Sequence, residues 1–241
     1  MTAIALEDAD VASSADAYAR RFAGAVGTWF LDVQTRITLD LLRPFPAASV
    51  LDVGGGHGQL AAPVAAAGHA VTVLGSAPAC AHRVQALVEQ ERAAFASGDL
   101  MKAPFPDRSF DVVLAFRMLA HVRDWPGFVA ELCRLARHAV IVDYPARRSA
   151  NAVAERLFAL KQGVEKDTRP FRVLGDGELA AAFSTAGFHA AVRRPQFFVP
   201  MAVHRGLGVA PLSRAAEALA GMLGLVRGFG SPVILRADRR G

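Results

Sequence analysis

The chain has 241 residues, of which 53% are hydrophobic and 20% charged, with 27 Lys and Arg against 22 Asp and Glu. That composition excludes a disordered chain and gives one α/β domain, or a domain with a small appendage, enough apolar material for a core. Two cysteines, Cys80 and Cys133, exclude a disulfide scaffold and a four-ligand structural zinc site, and a net charge of +5 carried almost wholly by arginine gives little support for nucleic-acid binding.

The start, Met1 to Asp10, is acidic and lacks a basic segment with an apolar run behind it, so it does not read as a signal peptide. The first fifteen or so residues read as a loose tail. Tyr18, Phe22, Val26 and Trp29 then recur at helical spacing, as do Phe30, Val33, Ile37 and Leu41, and Pro44-Phe-Pro46 ends the second helix. From Ser49 short apolar runs alternate with helices. Strands are expected at Val50–Val53, His69–Leu74, Phe95–Ser97, Phe110–Phe116 and Ala139–Asp143, with helices at Gln59–Ala67, Ala79–Ala94 and Pro126–Arg137. Strands separated by single helices need crossovers, which predicts an α/β fold with a parallel sheet and helices on both faces.

After Tyr144 the rhythm lapses. A helix is expected over Ser149–Val164, a polar loop over Glu165–Pro170, a helix over Gly177–Ala186, extended chain over Phe188–Pro200, a helix over Leu212–Val226 and a strand over Ser231–Arg236. Residues 1–46 are read as a tail and helices that cover the site. Residues 47–241 are the main domain, with a cover at 146–172 over the carboxyl edge of the sheet. The uncharged stretch from Gly58 to His82 is broken by Pro63, Gly68, Gly75 and Pro78, which argues against a membrane span; a soluble cytoplasmic protein is expected.

The informative stretch is Val50-Leu-Asp-Val-Gly-Gly-Gly-His-Gly-Gln-Leu60, an acid on the first strand followed by Gly54, Gly55, Gly56 and Gly58. Glycine lets the backbone turn sharply and leaves no Cβ between chain and ligand, and the loop falls where open α/β sheets bind ligands. A dinucleotide fingerprint would place glycine at position 59, which is Gln59. Asp52, two residues ahead of the first glycine, would repel a pyrophosphate and suits a ligand with an ammonium group. That favours S-adenosylmethionine.

The run from about Tyr18 to Asp143 resembles the class I S-adenosylmethionine-dependent methyltransferases, in particular the small-molecule group that includes quinone-biosynthesis enzymes. Three passages carry the resemblance: the glycine loop; Ser97-Gly-Asp-Leu100 with Ala103-Pro-Phe-Pro-Asp-Arg-Ser-Phe-Asp-Val-Val113; and Phe116-Arg-Met-Leu-Ala-His-Val122 with Trp125 beyond. The resemblance implies a Rossmann-like, mostly parallel seven-stranded sheet with one antiparallel strand. It also implies that Asp52 approaches the ammonium end of the cofactor, and that Gly54 and Gly56, with Gly55 and Gly58 in the same loop, lie against its methionyl part. Asp99 and the Leu100 amide would meet the adenine edge, and the backbone of Phe116 and Arg117 would line the trough.

One departure from the family matters. Gly75 stands where the family carries an acid for the ribose hydroxyls, and no acid follows until Glu89. Losing such a hydrogen bond costs about 1.5–3 kcal/mol, roughly ten- to hundred-fold in affinity, unless Ser76 or a water bridges the gap. The same gap counts against a nicotinamide cofactor.

His121 is the candidate base, although Ala120 replaces the glutamate often found before it in the family. The other histidines show no metal-ligand spacing, so no metal is expected. The expected function is methyl transfer to a small molecule, apolar with an anionic or phenolic end. The alternatives are a binding protein of this fold without catalysis and an NAD(P)-dependent oxidoreductase. Candidate substrate contacts are Phe22, Trp29 and Phe30, and a carboxyl-terminal set of aromatics (Tyr144, Phe158, Phe171, Phe197, Phe198, with Met201) and arginines (Arg147, Arg148, Arg169, Arg172, Arg193, Arg194).

Overall fold

A computed structural model describes residues 8–149 and 172–241. Seven strands form one sheet in the order β3-β2-β1-β4-β5-β7-β6: β1 Ser49–Val53, β2 Ala70–Gly75, β3 Ala94–Ser97, β4 Phe110–Ala115, β5 Ala136–Tyr144, β6 Phe188–Pro195 and β7 Val233–Arg239. The first five pair in parallel, and β7 runs antiparallel between β5 and β6.

The central strands read as continuous apolar runs because both of their faces are covered. Leu51, Val53, Val113, Ala115 and Val140 point to one face. There they pack with Phe128, Val129 and Leu132 of the helix Trp125–Leu135 and with Leu179 and Phe183 of the helix Asp176–Thr185. Val50, Val112, Leu114 and Ile141 point to the other, against Leu41 and Leu42 and against Ala61 and Val64. The even-numbered position that closes β1 on this second face is Asp52.

Before the sheet come α1 (Ala9–Ser13), α2 (Asp16–Ala19), a 3-10 turn over Arg20–Phe22, and α3 (Gly24–Leu42). The loose tail expected here is therefore wrong for residues 9–14, since α1 packs on the glycine loop and Asp10 is 0% exposed. The two expected amino-terminal helices are also redrawn. Gly24 takes a φ of +77°, and one helix runs from there through Val26 and Trp29 of the first apolar set and all of the second, while Tyr18 and Phe22 fall in α2 and the 3-10 turn. Gly27 permits the fold-back, because a Cβ there would lie 2.3 Å from the Phe22 carbonyl.

The helix expected over Ala79–Ala94 is instead a 3-10 turn at Pro78–Ala81 and a short helix, Gln85–Glu89, ended where Glu91 adopts a φ of +55°. The carboxyl-terminal helix divides into Ala210–Met222 and Leu225–Phe229, because Gly224 between them takes a φ of +72°. A further helix, Met201–Leu207, follows the extended segment. The helix and loop expected within 150–171, and most of the expected cover at 146–172, lie outside the described residues. At its edges Ala146 bridges Leu174, and the Arg172 amide donates to the Ala120 carbonyl at 2.9 Å.

Candidate active site

Beyond Val53 the chain enters a left-handed residue at Gly54 (φ +72°), a 3-10 turn over Gly55–His57, and a second left-handed residue at Gly58 (φ +76°). Conformation demands glycine at the two ends, and space demands it between them. A Cβ on Gly55 would lie 2.2 Å from Asp52 Oδ2, and one on Gly56 would lie 2.1 Å from Ser14 Oγ. The loop is thus bare partly for its own chain: α1 lies on one side and Met118, 2.5 Å from where a Gly54 Cβ would be, on another.

A cleft opens here, lined by Ser13, Asp52, Gly54, Gly55, His57, Gln59, Leu60, Phe116 and Arg117. Asp52 is buried, and its Oδ1 has no hydrogen-bond partner. Burial pushes its carboxyl up to about 7, opposed by the positive charge of Arg117. The Arg117 Nη2 donates to Gln34 Oε1 at 2.8 Å and to Gln59 Oε1, and the guanidinium sits 4.8 Å from the centre of the Phe22 ring. Arg117 lines the cleft as expected from its place after β4, and its backbone amide donates to Asp143 Oδ1. Asp143 is itself buried, its carboxyl raised by that burial, and its Oδ2 accepts from Gln34 Nε2 at 3.1 Å.

His57 is boxed by Tyr18 and Phe22, whose rings meet it edge-on at 5.7 and 5.6 Å. Burial, with Arg117 and Arg83 nearby, lowers its pKa to about 3, so it stays neutral. The cleft therefore sets an unpartnered carboxylate oxygen and a guanidinium against the same loop. That donor set matches a zwitterion, with Asp52 for an ammonium and Arg117 for a carboxylate.

At the end of β2, a Cβ on Gly75 would lie 2.6 Å from the Cys80 Cβ, which accounts for the missing acid. The next residue, Ser76, donates its amide to Asp10 Oδ2 at 2.8 Å and its hydroxyl to Asp10 Oδ1 at 2.5 Å. Asp10 went unnoticed in the sequence because its partner is 66 residues away and no local pattern marks it.

Asp99 follows β3, whose Ser97 is in register with Gly75. Its Oδ1 accepts from the Met101 amide at 2.8 Å, and the Leu100 side chain is buried. His121 lies on the turn after β4, its amide bonded to the Met118 carbonyl at 2.9 Å, and it does not line the cleft.

The carboxyl-terminal residues sort differently from a ready-made substrate pocket. Phe197 packs on Trp29 and Phe30 at 5.2 and 4.9 Å. Tyr144 donates its hydroxyl to Asp176 Oδ1 at 2.7 Å, and burial raises its phenol. Arg147 pairs with Glu178 and Arg193 with Asp176. Phe158, Arg169 and Phe171 lie outside the described residues. Beneath this layer is a pair that the sequence did not signal, His204 Nε2 and Glu217 Oε1 at 3.0 Å. Among the described residues, no group of three His, Cys, Asp or Glu side chains is placed to hold a metal, and no helix is long and apolar enough to cross a membrane.

Residues 51–142 match the family model of the methyltransferase domain. An O-methyltransferase of Pyrenophora dematioidea is 32% identical over 112 residues, 42% of this chain and 41% of that one. A ubiquinone biosynthesis O-methyltransferase of Methylobacterium nodulans is 38% identical over 101 residues, 39% of each chain. The matched region thus spans about two fifths of the length of these relatives.

Among solved structures, magnesium protoporphyrin IX methyltransferase from Synechocystis, with bound S-adenosylhomocysteine, superposes with a TM-score of 0.66 over 92% of both chains at 14% identity. The 1,6-didemethyltoxoflavin-N1-methyltransferase of Burkholderia thailandensis gives 0.61 over 96% of this chain and 85% of that one at 17% identity. These likenesses establish the fold. Residues 51–142 are thus similar to the methyltransferase domain family, and the whole described chain shares the fold of these methyltransferases.

Proposed function

We propose that the protein binds S-adenosylmethionine in the glycine-loop cleft and catalyses transfer of its methyl group to a small molecule. The observation that carries this reading is the buried, unpartnered Asp52 Oδ1 in a cleft that also holds Arg117, a fit for an amino-acid tail and a poor one for a diphosphate.

In this reading the Asp52 carboxylate takes the ammonium, and Arg117, braced by Gln34 and Gln59, takes the carboxylate. Gly54, Gly55, Gly56 and Gly58 let the backbone close around that tail. The Asp99 carboxyl and the Leu100 amide offer an acceptor and a donor in the order that the adenine edge requires, although one Asp99 oxygen is already engaged by Met101. Held there by Asp52 and Arg117, the group would supply an electrophilic sulfonium methyl for in-line displacement by a lone pair of the acceptor. Alignment and exclusion of water are the protein's share. α1 to α3 serve as the cover on one side of the cleft.

His121 is kept as the proposed base for an acceptor held beyond the glycine-loop cleft, whose lining it does not join. For the substrate we infer a phenolic or anionic body with an apolar part. Phe22, whose ring lies against the Arg117 guanidinium, supports this, as does the similarity to ubiquinone biosynthesis O-methyltransferases.

Incubation with S-adenosylmethionine and a panel of phenolic, carboxylic and small polar acceptors tests the reading by mass spectrometry. A mass gain of one methylene on a phenolic or anionic acceptor supports it. Cofactor binding with no acceptor methylated would leave a binding protein of this fold. Binding of NAD instead would favour an oxidoreductase.

A further inference from the structure

We propose that Asp10, carried on α1, supplies the carboxylate that holds the vicinal ribose hydroxyls of the cofactor, in place of the acid that the end of β2 cannot carry. This rests on the reading of the cleft as a S-adenosylmethionine site.

In open α/β sheets an adenosine ligand presents its ribose to an acid near the end of the second strand. At that place the chain has Gly75, whose surroundings reject a side chain: a Cβ would be 2.6 Å from the Cys80 Cβ and 3.1 Å from the Phe95 ring. The acid comes from the other end of the fold. Both Asp10 oxygens reach Ser76, at 2.8 Å to its amide and 2.5 Å to its hydroxyl.

Asp10 is 0% exposed, and among the described residues no cationic side chain pairs with it. A carboxylate offers about four lone-pair sites; Ser76 engages two of them, and the Cys80 thiol also bonds to the group. The remaining capacity would take a hydroxyl donor from a cis-diol. α1 is built to aim it. Ser13 Oγ and Ser14 Oγ donate to the Asp10 carbonyl at 3.0 and 2.7 Å, and Ser14 fits against the bare face of Gly56. Docking of residues 9–14 and binding of the ribose are then one coupled event.

Isothermal titration with S-adenosylhomocysteine and with its 2′-deoxy analogue tests this in the full chain, for the wild type and for Asp10→Asn. The wild type should bind the deoxy analogue roughly ten-fold more weakly than the parent compound. Asp10→Asn should bind the parent more weakly and discriminate little between the two. Because the comparison is a ratio within each protein, general destabilisation does not imitate it, and Asp10→Ser serves if the Asn variant does not fold. Equal discrimination in both proteins would overturn the proposal. So would tighter binding of the parent by the variant, which would make α1 a plug over the site. Failure of the wild type to bind either compound would overturn the reading of the cleft itself, and this proposal with it.

Discussion

Asp143 Oδ1 accepts the backbone amide of Arg117 at 2.5 Å, at a residue held in the left-handed region with a φ of +61°. A bulky residue in that region carries about 1–2 kcal/mol of strain, and the bond to Asp143 is one of the contacts that hold it there. From this turn the guanidinium reaches Gln34, Gln59 and the Phe22 ring.

Arg117→Gly and Arg117→Ala should both weaken S-adenosylhomocysteine binding, by roughly ten- to hundred-fold, through loss of the charge-assisted contact. The two should differ in stability, with the glycine variant about 1 kcal/mol more stable than the alanine variant because only glycine relaxes at positive φ. Titration calorimetry and urea unfolding of the pair separate binding from backbone strain.

Asp52 ties stability to pH. In the unfolded chain its carboxyl loses its proton near 3.8, and in the folded protein only at about 7. Between those values the folded state binds more protons, so this group makes stability fall as pH rises from about 4 through 7. The full effect is at most on the order of 4 kcal/mol. Asp52→Asn should therefore unfold at a higher temperature than the wild type at pH 8, and the difference should close toward pH 4. The same variant should bind S-adenosylhomocysteine poorly, and wild-type affinity should rise with pH through about 7 as the carboxylate forms. Melting curves and titrations at matched pH values read both effects.

Gly75→Ala should destabilise the fold by about 1–3 kcal/mol, as overpacking in a filled interior does, because its Cβ meets Cys80. Urea denaturation measures this directly. A small or favourable change would mean that the end of β2 has room for a side chain, and that the absence of an acid there has another origin.

Glu217 accepts from the Phe198 amide at 2.9 Å and the Val199 amide at 2.8 Å, and meets His204 Nε2 at 3.0 Å. Glu217→Ala should cost about 3 kcal/mol by stranding these buried groups. Glu217→Gln, which keeps an acceptor oxygen, should cost less. Neither variant should change how strongly the protein discriminates S-adenosylhomocysteine from its deoxy analogue, since the pair lies away from the glycine loop.

The glycine loop was legible because its signals are local: a strand buried on both faces writes itself as Val50-Leu-Asp-Val53, and left-handed turns write themselves as Gly54 and Gly58. The count of seven strands and the presence of one antiparallel strand followed from the resemblance rather than from periodicity, while the strand order and the place of β7 were not legible in the sequence. What escaped was long-range. Gln34 meets Asp143 across 109 residues, and Asp10 meets Ser76 across 66, with no spacing rule to announce either contact. Helix lengths near Gly24, Glu91 and Gly224 were misjudged for the opposite reason. Apolar periodicity carries on through a break that one residue at positive φ imposes.

In the proposed function, Asp52 and Arg117 form a receptor for the amino-acid tail of an adenosyl sulfonium compound. Calorimetric titration of the wild-type protein with S-adenosylhomocysteine, beside adenosine and beside NAD, tests it most directly. One-to-one binding of S-adenosylhomocysteine is expected, with adenosine much weaker and NAD silent. Adenosine binding as tightly as S-adenosylhomocysteine, or NAD binding in its place, would contradict it.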